Sequence, residues 1–176
     1  MANREALREL QTRLASRLQA ARFEDISPSW LAVKVGVQNY LFPLTQSGEI
    51  FPLIQVQRVP YVQPWFLGVA NLRGVLNGVV DLACFMGDPL VNVRTEQSRA
   101  EACVITFNAA LELNCALMVD GLAGLRKRES FAEASGPPQG APIYFGSWLI
   151  DADGVPWQEI NLQSLSQLPE FLSISA

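Results

Sequence analysis

Apolar positions along this chain recur in two rhythms. In Asn3–Arg22 the leucines Leu7, Leu10, Leu14 and Leu18 fall three and four residues apart, which predicts an amphipathic helix. Glu9 precedes Arg13 by one helical turn, a favourable pair on such a surface. This leucine stripe is narrow and suits either packing on the chain's own domain or a partner or dimer surface. Beyond Pro28 the rhythm shortens to two. Leu31, Val33 and Val35 share one face of a predicted strand over Trp30–Val35, with Ala32 and Lys34 on the other. A turn at Gly36–Asn39 leads to a returning strand through Tyr40, Phe42 and Leu44.

The stretch Pro60–Gly87 organises the chain around it. Two short runs, Trp65–Ala70 and Val75–Leu82, flank an Asn71-Leu72-Arg73-Gly74 corner and read as buried strands joined by a turn. Gly68, Gly74, Gly78 and Gly87 mark places that need a positive φ or a close backbone approach. Arg73, permanently charged, must find a carboxylate in the fold or face a partner. Phe51–Pro64 carries three prolines and predicts a winding connection, and the polar run Val91–Arg99 predicts a loop. Cys103–Phe107 is a fully apolar strand and Leu111–Val119 its returning arm. Ser135–Pro142 predicts an exposed loop. Tyr144–Ile150 and Val155–Asn161 flank an Asp151–Gly154 hairpin turn, and a short helix follows from Leu162 until Pro169 stops it. About nine short strands with a helix at each end predict a mainly β, barrel-type fold.

Composition narrows the function. The chain has 176 residues, 49% apolar and 17% charged, enough to bury a core within one domain or two small subdomains. A net charge of −4 argues against binding a nucleic-acid backbone, and Arg126-Lys127-Arg128 reads as a solvated loop. The polar N-terminus is unlike a signal peptide. The longest uncharged run, Ala134–Ile150, is broken by prolines, so no membrane insertion is expected. Histidine is absent, which removes the usual general base and the commonest metal ligand. There is no P-loop and no nucleophile elbow. Cys84, Cys103 and Cys115 lie in apolar runs without C-x-x-C spacing and read as buried reduced thiols. Asp151 and Asp153 suit a turn better than a calcium loop. Asp81 and Asp120, at the ends of apolar strands, read as turn or capping groups. No catalytic residue, cofactor or metal site is expected. Trp65, Trp148 and Trp157 read as core or interface aromatics.

The run Pro64-Trp65-Phe66-Leu67-Gly68-Val69-Ala70-Asn71-Leu72-Arg73-Gly74, followed by Val79-Val80-Asp81-Leu82, resembles the signature of CheW-like adaptor domains. Gly78 stands where that signature has a proline. Val119-Asp120-Gly121-Leu122 is similar to the family's V-D-x-V element, and the likeness spans roughly Trp30 to Leu168. It implies two small intertwined five-stranded β-barrels over residues 26–176, with a groove between them. Residues 1–25 then form an added amphipathic helix like that of the PilI-type members, which serve type IV pilus twitching motility. The resemblance further implies a cytoplasmic, non-enzymatic adaptor at membrane receptor arrays. Its partners would be the regulatory domain of a CheA-like histidine kinase and the cytoplasmic tip of a methyl-accepting chemoreceptor. By the same likeness Glu49 pairs with Arg73, either to pin two strands or to serve recognition. Val69, Asn71, Leu72, Arg73, Gly74 and Val75 fall at the partner-binding corner. Two other classes stay open on the residues: a small-ligand-binding β-barrel with an apolar interior, and an enzyme using one of the cysteines.

Overall fold

The structure, a computed structural model, describes residues 28–88 and 94–176. The leucine-striped segment Asn3–Arg22 lies outside the described residues, as does the proposed division at residue 25. Eleven strands run in chain order among the described residues: β1 (Ser29–Val35), β2 (Gln38–Pro43), β3 (Ser47–Pro52), β4 (Phe66–Leu72), β5 (Val75–Asp81), β6 (Cys103–Phe107), β7 (Cys115–Val119), β8 (Gly121–Lys127), β9 (Phe131–Ser135), β10 (Phe145–Asp151) and β11 (Pro156–Ile160). Short helices α1 (Leu82–Phe85), α2 (Glu96–Glu101), α3 (Leu162–Ser166) and α4 (Pro169–Leu172) punctuate them.

The strands form two sheets, ordered β8-β1-β2-β11-β10-β9 and β3-β6-β7-β5-β4. The chain starts the first sheet, leaves to build all of the second, and returns to finish the first. The two units are intertwined in this sense, and the first has six strands where the family likeness implied five. Each sheet curls. The first has β8 and β9 at its two edges, yet only the single 3-10 turn Arg128–Ser130 separates them in sequence. In the second, Gln57, just beyond edge strand β3, exchanges two main-chain hydrogen bonds of 2.8 and 2.9 Å with Val69 on the other edge strand, β4. That contact needs a bare backbone at Gly68: a Cβ there would lie 2.0 Å from the Gln57 carbonyl oxygen, and φ is +135°.

Three apolar clusters fill this arrangement. Trp30, Ala32, Leu41, Phe131, Leu149 and Trp157 occupy the interior of the first unit. Ala70, Leu72, Val79, Val104, Ala116 and Met118 occupy the interior of the second. The largest cluster lies between the sheets, where Leu31, Val33, Val35 and Phe42 meet Val80, Ile105, Leu117 and Val119 under α1, α3 and α4. Strand β1 thus buries both faces, because one lines its own barrel and the other packs on the second sheet. Ala32, predicted on the polar face with Lys34, is fully buried for this reason. Trp65 stacks on Phe171 at 6.1 Å and meets Phe85 edge-on at 5.2 Å, sealing the inter-sheet core, while Trp157 lies inside the first barrel.

Several expected boundaries shift. Of the predicted loop Val91–Arg99, residues 91–93 lie outside the described set. Glu96 onward is helix α2, because Thr95 caps it by accepting from the Ser98 N–H. The arm predicted over Leu111–Val119 is strand only from Cys115. Ala109–Leu111 is a 3-10 turn, with Asn108 accepting from the Ala110 N–H. The predicted strand count misses β8, where Arg126 and Lys127, expected in a solvated loop, pair with Trp30 and Ser29 of β1. It also misses β9, whose sequence FAEAS is polar and whose strand form rests on pairing with β10. The Asp151 turn is built as expected. Its carboxylate accepts from the N–H groups of Asp153 and Val155 and from the Trp157 indole, at 2.9–3.0 Å.

Candidate functional site

Strands β4 and β5 pair in a register that sets Leu72 opposite Val75, so the hairpin turns on two residues, Arg73 and Gly74. Both have positive φ, +50° and +85°. This is the type I′ geometry whose twist matches antiparallel strands. Asn71 secures it, with Oδ1 accepting from the Gly74 N–H at 2.7 Å. A bulky side chain at positive φ is uncommon, and the Arg73 side chain is largely exposed at this turn.

The guanidinium meets Glu49 on β3, Nη1 to Oε2 at 2.8 Å, and lies 5.8 Å from the centroid of the Phe51 ring. The Glu49 N–H donates to Thr106 Oγ1 on β6 at 2.8 Å. The predicted ion pair therefore forms, bridging the second sheet's edge strand to its hairpin tip. Its side chains are 74% and 54% exposed, so it is a surface pair. Beside it, Val75 and Leu76 are 48% and 63% exposed. Glu49, Phe51, Leu72, Arg73, Val75 and Asn77 border one side of an open cleft of about 550 Å³.

The other predicted positions divide. Leu72 is buried in the second barrel's interior, so it supports the tip from within. Asn71 is exposed, and it borders a neighbouring cleft of about 380 Å³ together with Val69 and Leu76. Glu49, Arg73 and Val75 thus share one cleft, and Val69 opens on the other.

One polar cluster was not foreseen. Arg94 is nearly enclosed between Asp81, at the end of β5, and Asp120, between β7 and β8. Its Nη1 and Nη2 both bind Asp81, the latter at 2.8 Å, and its Nε binds Asp120. The hydrogen bonds to Asp81, with smaller help from Asp120, hold its proton more tightly than in free arginine, against the opposing effect of burial. Asp81 also caps α1 through the Cys84 N–H, and Asp120 accepts from the Gly36 N–H. Asp81 therefore acts as the expected capping group, Asp120 instead holds the distant turn between β1 and β2, and both clamp a cation besides. Two carboxylates ending buried strands were the signal that a cation was needed.

The cysteines are free thiols. Burial pushes Cys103 up to about 11 and Cys115 up to about 12, and raises half-buried Cys84 as well, which keeps them from the thiolate form at neutral pH. Apolar side chains pack against one another in the interiors of both barrels. Among the described residues no helix is long and apolar enough to cross a membrane.

Residues 29–170 match the family model described as the CheW-like domain. Protein PilI of Pseudomonas aeruginosa is 26% identical over 167 residues, covering 93% of this chain and 89% of that protein. The crystal structure of scaffolding protein TtCheW from Thermoanaerobacter tengcongensis matches with a TM-score of 0.65 at 16% identity, covering 82% of this chain and 96% of that one.

Proposed function

The chain belongs to the CheW-like domain family, a family of non-enzymatic scaffolds in chemosensory signalling, and on that premise we propose that it couples methyl-accepting chemoreceptors to a CheA-like histidine kinase. The likeness to Protein PilI supports type IV pilus twitching motility as the output, with the protein working at receptor arrays on the cytoplasmic side of the membrane.

The observation that carries this reading is the exposed tip of the β4–β5 hairpin. Arg73 is held out by its turn, paired with Glu49 and bordered by exposed Val75 and Leu76. An exposed pair contributes roughly 0–1 kcal/mol to stability, so its arrangement suits recognition better than pinning strands. Aliphatic side chains beside a planar cation suit a helical receptor tip laid across the corner. Val69 and Asn71 extend the same surface, and Gly74 permits the turn. The exposed edges of the barrels are left for the kinase.

The test is a titration of the full chain against the kinase regulatory domain and, separately, a receptor cytoplasmic tip. The Arg73→Gly variant removes the guanidinium while leaving φ free to stay positive. Receptor binding weakened about tenfold or more at an unchanged melting temperature supports the reading. Unchanged receptor binding by that variant removes Arg73 from the contact. Binding to neither partner by the wild type sinks the adaptor assignment. Repeating the titration on a chain beginning at Asp25 asks whether the leucine stripe takes part.

A further inference from the structure

The second barrel has two ends. One carries the Arg73 tip. At the other, where Leu67 is next to the start of β4 and Asp81 ends β5, lies an open cleft of about 630 Å³. Its wall is apolar, formed by Leu53, Ile54, Val56, Leu67 and Met118. Its rim is cationic. Arg58 and Arg99 border it, both are exposed, and neither forms a salt bridge among the described residues. The acidic group in the lining, Asp81, is fully engaged by Arg94 and the Cys84 N–H, so it offers an incoming anion little repulsion.

We propose that this barrel mouth is a second docking site, taking an acidic peptide segment of a protein partner whose apolar side chains enter the cleft while its carboxylates reach Arg58 and Arg99. Charge complementarity selects the occupant. A basic or neutral apolar segment would leave both guanidinium groups unpaired at the rim, whereas carboxylates meet them in the planar geometry that arginine favours. The open shape favours an extended or helical segment over an engulfed small molecule, which needs most of its surface enclosed. The site is independent of the Arg73 corner and does not rest on the receptor or kinase assignment.

Cys84 lines the cleft and is half-buried, while Cys103 and Cys115 are buried, so alkylation of Cys84 reports occupancy. The full chain is alkylated at mildly alkaline pH with increasing amounts of a synthetic peptide of alternating leucine and glutamate pairs. Parallel runs use its lysine-for-glutamate counterpart and decanoate. The expected result is saturable protection by the glutamate peptide, none by the lysine peptide, and protection weakened about tenfold in Arg58→Gln/Arg99→Gln at an unchanged melting temperature. Three results overturn the proposal: no protection by the glutamate peptide, equal protection by the lysine peptide, or protection that survives the double substitution. Protection by decanoate alone would instead make the mouth a site for small amphiphiles.

Discussion

Arg73 and Asp151 show how differently two charged side chains are used in one fold. Arg73 keeps most of its surface in water and pairs with Glu49, itself more than half exposed. Replacing either by alanine is expected to change the stability of the fold by no more than about 1 kcal/mol, measured by urea denaturation. Asp151 is enclosed and serves as the acceptor for its own turn. The Val155 N–H, then the Trp157 indole, hold its carboxyl below the ordinary carboxylate value. A depressed carboxyl contributes stability that is complete above the unfolded-state value of about 3.9 and is lost as pH falls through the folded one. The wild type should therefore lose stability below about pH 4 more steeply than Asp151→Asn. Urea midpoints at neutral pH and across that acid range check this, and parallel slopes would contradict it.

At the scale of elements, the Arg94 clamp matters most. It joins the end of β5 and the α1 cap to the β7–β8 corner, and through Asp120 to the turn between β1 and β2. It therefore ties strands of both sheets at one end of the core between them. Arg94→Met would leave two enclosed carboxylates without their cation, and breaking such a cluster costs about 3–5 kcal/mol. Chemical denaturation is expected to show a loss of that size, partly recovered by Arg94→Lys because a charge without the planar fork satisfies fewer acceptors. The pattern of alternating residues identifies β1 and β2 readily, and a continuous apolar run identifies β6. It could not identify Arg94, because a lone cation in a polar run acquires its meaning from acids that the fold brings to it.

For the molecule as a whole, the largest apolar cluster belongs to neither barrel alone. Leu82 and Leu165 are fully buried in it and come from helices on the connections out of β5 and β11. Truncating either to alanine should cost about 2–5 kcal/mol. Because the shared core couples the sheets, the loss should appear as a shift of one cooperative transition. Tryptophan fluorescence, with Trp30 and Trp157 in the first barrel and Trp65 at the junction, followed alongside far-UV circular dichroism, checks this. Separate transitions for the two signals would show that the sheets unfold independently.

The sequence by itself determined the mainly β class, the hairpins at Asn71–Gly74 and Asp151–Gly154, and the family resemblance that the match over residues 29–170 bears out. These are local properties, set by side-chain alternation, turn residues and one long gap-free motif. Only the tertiary structure decided that both faces of β1 are buried, that the Glu49–Arg73 pair stands in solvent, and that Arg94 belongs with Asp81 and Asp120. A period of two says that a strand has two faces but not what covers them. Coverage follows from the curl of each sheet and the packing of one on the other, contacts between residues far apart in the chain that leave no mark on any short stretch of it.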